Sequence, residues 1–413
     1  MSERAGISPS SEALFDLVRS HPVTTRTELV QLSGLSKATV SEAIASLMAL
    51  GLLKEVGKRQ PGRGRSQVVL EFQPATRLVL GAHYTERACR VVLADLLASP
   101  VAQAERPLRS TEPEAFVEAV VACVGDLMPR ADAPVIGLGA GTPGLIDASR
   151  REVVISVPQQ WFHVPIGAML EERLNLPVVV ANRAKAAALG EYWQGVPALH
   201  GEGIRRPSSL FYAYVGSGIV AGFVNDGELF LGSGGAAGEL GHVTVQPDGS
   251  VCGCGNRGCL YTVASESAII RQVKAKMREA DAGTPIDTAQ AASLATMDIT
   301  MVVEEARRGN PVVLETIREV ASWLGIALAG VINLMNPSRM VIGGPVTGIG
   351  EPFIGALREE IRRRALWDSL QGVSIEASAL GDAAGPIGAA ALFLDLASSA
   401  DLMTGALGTR PAG

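Results

Sequence analysis

The chain has 413 residues, 47% of them apolar and 19% charged, with 36 Lys/Arg against 42 Asp/Glu and a net charge of -6. That composition excludes a disordered or fibrous protein, and the length exceeds one typical domain, so two or three folded units with sizeable cores are expected. No apolar run reads as long enough to span a bilayer, no hydrophobic signal core opens the chain, and the expectation is a cytoplasmic protein with no membrane partner.

Three short helical patterns come first: Ser11–Ser20, Thr25–Leu32 and Ser36–Leu50. Thr25-x-x-Glu28 is a capping box, Ser36 is an N-cap, and Val40, Ile44 and Leu47 repeat at helical spacing. Ser33-Gly34 supplies the tight turn of a helix-turn-helix. Two strands, Leu52–Val56 and Gln67–Phe72, flank the loop Gly57–Ser66 and complete a winged helix over residues 1–73. This module holds nine Lys/Arg against seven Asp/Glu, so the rest of the chain carries all the acidity. A basic element on an acidic protein points to a polyanion at one end only. Ser36, Lys37, Thr39 and Ser41 lie on the third helix away from its apolar stripe, and they are candidate contacts to a major groove. Arg59, Arg63 and Arg65 belong to the wing, where Pro61-Gly62-Arg63-Gly64-Arg65 has the glycine and arginine content of a minor-groove hook. Double-stranded DNA with a palindromic operator is the expected partner; a protein-docking winged helix is the alternative.

Gln73-Pro74-Ala75 reads as a hinge. Strands are expected at Leu78–Tyr84, Arg87–Leu96, Pro100–Leu108, Val135–Ala140 and Pro177–Val180, and helices at Pro113–Met128 and Pro165–Leu174. Ala181-Asn182-Arg183-Ala184 then falls at a strand-to-helix turn. Further on, strands Ser209–Val215, Gly218–Val224 and Glu228–Leu231 lead to a dense group, His242, Cys252, Cys254 and Cys259. One histidine and three cysteines make a closed tetrahedral donor set, so residues 242–259 read as a structural Zn2+ knuckle; a glycine-rich loop with free thiols is the alternative. The other two cysteines, Cys89 and Cys123, sit in apolar runs as core residues. Helices Glu266–Glu279, Met301–Arg308, Pro311–Leu334, Pro352–Ala365 and Pro386–Leu396, with strands Met340–Gly344 and Val373–Ala377, complete a body over residues 74–397. Residues 398–413 read as a disordered tail.

Glu239-Leu-Gly-His242 followed by Cys-Gly-Cys-Gly-Asn-Arg-Gly-Cys resembles the signature of the ROK family of repressors and sugar kinases. The resemblance runs from about Leu78 to Leu394 and implies a multidomain α/β protein: a winged helix-turn-helix followed by a two-lobed actin-like ATPase or ROK sugar-kinase fold, each lobe RNase H-like. In the family the metal-bound histidine also faces a sugar hydroxyl and the glutamate bonds the sugar, which assigns Glu239 and His242 to a ligand. Asn182, Arg183, Trp161 and Tyr261 fall at matching ligand positions, with Trp161 either stacking on a sugar or capping the core.

Two departures from the family's kinases stand out. Gly81-Ala82-His83-Tyr84-Thr85 replaces a phosphate loop with an acid, and Arg183 stands where those kinases carry the aspartate that takes the sugar hydroxyl proton. A DNA-binding repressor of carbohydrate genes with a catalytically dead, effector-sensing body is therefore expected, as a homodimer or homotetramer. The alternatives are a sugar kinase with a DNA-binding module, and a regulator that no longer binds sugar. Arg183 either attracts an anionic sugar derivative or bonds Glu239 internally.

Overall fold

The computed structural model describes residues 7–60, 66–195, 206–280 and 294–405. Two compact units emerge, one from Met1–Arg206 with Ala383–Gly413 and one from Pro207–Asp382.

The amino-terminal helices are α1 (Pro9–Ser20), α2 (Arg26–Ser33) and α3 (Lys37–Ala49). Each start has a hydroxyl cap. Ser8 accepts from Ser11 N, Thr25 from Glu28 N at 3.2 Å, and Ser36 from Thr39 N at 3.1 Å, which satisfies amides that the helix leaves without partners. Helix α2 ends on Gly34, whose φ of +67° is the left-handed cap the tight turn requires. Leu14, Phe15, Val18, Leu29, Val40, Ile44 and Leu47 bury one face of each helix in a common core. Strand β1 (Val23–Thr25) adds to a wing of β2 (Leu53–Arg59) and β3 (Gln67–Phe72) in the order β1-β3-β2. Sequence periodicity does not reveal β1, because three residues are too few for an alternation.

The first unit continues with β4 (Leu78–Tyr84), β5 (Ala88–Asp95), β6 (Pro100–Pro107), α4 (Pro113–Leu127) and β7 (Val135–Thr142). A small sheet of β8 (Leu145–Ile146), β9 (Val153–Ser156) and β10 (Trp161–Val164) interrupts before α5 (Ile166–Leu174), β11 (Val178–Asn182) and α6 (Arg183–Gln194). The second unit comprises β12 (Ser209–Val215), β13 (Ile219–Asn225), β14 (Glu228–Phe230), α7 (Leu260–Ala264), α8 (Glu266–Ala280), α9 (Ile299–Arg307), α10 (Pro311–Met335), β15 (Arg339–Gly343), α11 (Glu351–Arg364), α12 (Trp367–Leu370) and β16 (Ser374–Ala377). The chain then returns to the first unit as α13 (Ala384–Leu396) and α14 (Ser399–Thr404).

The main sheets are β6-β5-β4-β7-β11 and β14-β13-β12-β15-β16. In each, the first strand pairs antiparallel with the second and parallel with the fourth. The two units therefore repeat one topology, the RNase H-like order expected of the two lobes.

Helix α13 is apolar on every side, as a helix packed on both faces must be, and Ala384 through Leu394 are all buried. Four glycines make that position possible. A Cβ on Gly81 or Gly139 would overlap the carbonyl oxygens of Pro386 or Ala389, and one on Gly190 or Gly388 would overlap those of Ala384 or Ala186. Strands β4 and β7 and helix α6 thus meet α13 backbone to backbone.

Two expectations are corrected. The tail is ordered at its start: α14 buries Leu402 and Met403, and Ser398 caps it through Asp401 N. Residues 406–413 lie outside the described residues. Helix α10, at 25 residues, is long and apolar enough by length and composition to cross a bilayer, although half of its most apolar window is buried against the second unit's core. Its exposed side carries Glu315 and Glu319, both paired with Lys276, which is the pattern of an amphipathic core helix.

Candidate functional site

In the second unit, the donor atoms of His242, Cys252, Cys254 and Cys259 all lie within 4.8 Å of one another. Local backbone bonds assemble them. Val245 and Gln246 donate to Gly258 O, Leu260 donates to Val243 O, and Cys252 donates to Asn256 O at 2.7 Å. Gly258 must lack a side chain, since φ is +70° and a Cβ would strike Gln246 O.

The spacing fits a tetrahedral cation. Sulfurs held about 2.3 Å from a common centre lie ~3.8 Å apart. Cys254 Sγ to Cys259 Sγ is 3.7 Å, and Cys252 Sγ to His242 Nδ1 is 3.8 Å. The backbone hydrogen bond from Asn256, then the neighbouring thiols, draw the Cys254 thiol down to about 7, whereas burial and then Cys254 and Cys252 push Cys259 up to about 11. Crowded sulfurs cannot all carry charge without a cation among them, so the donor set is suited to a metal ion. Nδ1 of His242 faces the sulfurs, which leaves Nε2 as the nitrogen available to a ligand. Glu239 is exposed on the same segment, and Tyr261 is half-buried in α7.

In the first unit, Asn182 caps α6: its oxygen accepts from Ala184 N and its Nδ2 donates to Gly144 O, both at 2.9 Å. Arg183 follows in the first helical turn, and its guanidinium bonds Glu86 at 2.6 Å with the Tyr84 ring 6.0 Å away. Sequence reasoning misses Glu86 as a site residue. It sits on the β4–β5 hairpin beside the degenerate loop, and its position two residues past Tyr84 is the sole signal that could find it. His83 is half-buried with its Nδ1 enclosed, and desolvation, then the nearby Arg183, lowers its pKa to about 3, so it stays neutral at physiological pH.

Trp161 is corrected as a ligand residue. It is 1% exposed, donates through Nε1 to Thr111 O at 2.6 Å, and packs edge-on against Tyr84 at 5.5 Å between ring centroids. A ring in that position closes the core and has no free face for a sugar.

On the winged helix, Lys37 and Ser41 of α3 are exposed and Thr39 is half-exposed. The Ser36 hydroxyl is engaged with Thr39 N and Oγ1, and Ser41 Oγ donates to Lys37 O. Arg59 is drawn away from the wing tip, because β2 runs on to this residue and its guanidinium pairs with Glu28 of α2. Arg63 and Arg65 lie outside the described residues.

A family model described as "ROK family" matches residues 80–396. The chain is 29% identical over 384 residues to the xylose repressor of Caldicellulosiruptor bescii, covering 91% of this chain and 93% of that protein. It is 32% identical over 287 residues to a glucokinase of Streptomyces coelicolor, covering 68% of this chain and 87% of that one. A crystal structure of a ROK family transcriptional regulator, a homologue of the Escherichia coli Mlc protein, superposes with a TM-score of 0.77 at 24% identity over 96% of this chain and 97% of the other, a likeness of fold.

Proposed function

The chain belongs to the ROK family, and from that membership we infer that it is a sugar-responsive transcriptional regulator, a repressor of carbohydrate genes that reads a palindromic operator as a dimer or tetramer. The observation that carries this reading is the capped α1–α3 winged helix with Lys37 and Ser41 exposed on α3, in a chain matched along nearly its whole length by a repressor. The glucokinase match covers 68% of this chain, against 91% for the repressor. A soluble, cytoplasmic setting follows from this role.

Sugar phosphorylation is disfavoured. Arg183 stands at the base position of the family's kinases and is bonded to Glu86, and neutral His83 supplies no acid to the first loop. The same pair argues for a neutral sugar as effector, because Glu86 already compensates the Arg183 charge. Glu239, His242 and Tyr261 of the second unit are proposed as sugar-recognising positions, and Asn182 and Arg183 of the first unit are each proposed as ligand-facing positions. Zinc is the metal proposed for His242, Cys252, Cys254 and Cys259; bound there it supplies no open coordination position and holds the His242 ring in place.

Recovery of genomic fragments bound by the purified protein, with and without D-xylose, D-glucose or N-acetylglucosamine, tests the reading. A shared palindrome near sugar-transport or catabolic genes is expected, and no enrichment under any condition overturns it. On that operator, replacing Lys37, Arg63 and Arg65 with alanine is expected to weaken binding and to flatten the dependence of log K on log salt by roughly 0.9 for each phosphate no longer neutralised. An unchanged slope removes these residues from the DNA interface.

A further inference from the structure

Arg19, in the last turn of α1, leaves the winged helix and enters the body of the first unit. Its guanidinium lies 5.5 Å from the Phe15 ring and 5.4 Å from the Trp193 ring in the last turn of α6. Arg206 lies 4.0 Å from that same indole and 5.7 Å from Tyr192. Two cations on one ring repel, and Asp395 of α13 supplies a counter-charge that interacts electrostatically with Arg19, Arg206 and Arg150. Alongside, Ser399 Oγ donates to Asp16 Oδ1 at 2.8 Å, and Arg77 just past the hinge donates to Met403 O at 3.3 Å. Helices α13 and α14 thus grip α1 and the hinge together.

Helix α6 connects this cluster to Arg183. Asn182 and Arg183 occupy its start and Trp193 its end, ~15 Å along the axis at 1.5 Å per residue. The helix has little freedom to bend or slide, because Gly190 and Gly388 bring its backbone against α13.

We propose that Arg19 is a positioning residue for operator binding, fixing the DNA-reading helices to α6 and α13 so that a change at the Asn182–Arg183 end of α6 is felt at α1. The second half of this statement rests on the reading that the effector is sensed near Arg183. If docking of α1 is in equilibrium with a tethered state, a signal that biases docking biases the geometry offered to DNA.

Amide hydrogen exchange on the full chain tests the proposal. Arg19→Gln is expected to raise exchange at least tenfold in the last turn of α1 and in α14, with α3 unchanged and Arg19→Lys intermediate. Trp193→Leu, which leaves the winged helix intact, is expected to do the same. Arg183→Gln is expected to raise α1 exchange in the wild-type background and to add nothing in Arg19→Gln, since coupled sites are non-additive. Wild-type protection of α1 and α14 in both Arg19→Gln and Trp193→Leu overturns the docking role. An Arg183→Gln effect of equal size in both backgrounds overturns the coupling. If these variants behave as expected while D-xylose, D-glucose and N-acetylglucosamine leave wild-type α1 exchange unchanged, the effector reading fails and the docking stands.

Discussion

Chelation of the metal proposed for His242, Cys252, Cys254 and Cys259 is expected to lower the melting temperature of the second unit at neutral pH by ~10 °C, corresponding to a loss of roughly 3–5 kcal/mol in a unit of this size. Structural zinc in isolated finger peptides contributes an apparent ~10–16 kcal/mol, but this unit also has its own core around Leu240, Val245, Leu260 and Ile269, so part of the fold survives without the ion. Two serine variants separate metal loss from packing loss. Cys254 is exposed and Cys259 is fully buried at the start of α7, so Cys254→Ser removes a ligand and little else, whereas Cys259→Ser also disturbs the core. Both are expected to lose the metal, read as one zinc per chain by native mass spectrometry, with Cys259→Ser melting lower. A melting curve indifferent to removal of the ion contradicts a structural role.

The other large effect concerns a single methyl group. Gly388→Ala is expected to destabilise the first unit by about 4 kcal/mol, near the upper end for point substitutions. Helix propensity alone predicts the opposite, a gain of ~0.5–1 kcal/mol. The steric term wins because the added Cβ meets the Ala186 carbonyl and the Gly190 amide, which are backbone atoms of a helix that cannot retreat. Gly330 in α10 is the control: nothing lies within 4 Å of the place a Cβ would take there, so Gly330→Ala is expected to be neutral to stabilising. Denaturant unfolding of both variants checks the pair, and equal midpoints would show that α6 and α13 are less tightly fitted than their backbones indicate.

Elements that carry a local signal are legible in the sequence. Thr25 and Ser36 read as caps because a hydroxyl just before an apolar helical repeat has few other uses, and both cap as expected. Strands Leu78–Tyr84, Gln67–Phe72 and Ser209–Val215 have the same bounds in sequence and structure, because apolar β-branched and aromatic runs end sharply at turn residues. The candidate metal donors are equally plain as a group, since His242 and the three cysteines fall within eighteen residues and the structure gathers them.

What escapes depends on distant neighbours. Gly139 falls in an expected strand, yet its lack of a Cβ serves α13, some 250 residues away in sequence. Trp161 suits a sugar or a core equally well until Tyr84 and Phe116 are seen against it. Glu86 carries only its place beside the degenerate loop and Arg19 carries no pattern; their partners Arg183 and Trp193 are brought near by the fold.

The second unit is inserted within the first, whose last helices come from the end of the chain. That order constrains synthesis. As the polypeptide leaves the ribosome, the winged helix and strands β4–β11 emerge early, while the helix that fills their glycine-lined groove emerges only after the whole second unit. A nascent or prematurely terminated chain ending before Ala384 carries the whole winged helix but neither the α13 carboxylate nor the α14 grip on α1. Such fragments would leave the glycine-lined groove of β4, β7 and α6 unfilled, so the first unit is expected to complete its fold only after α13 has been made.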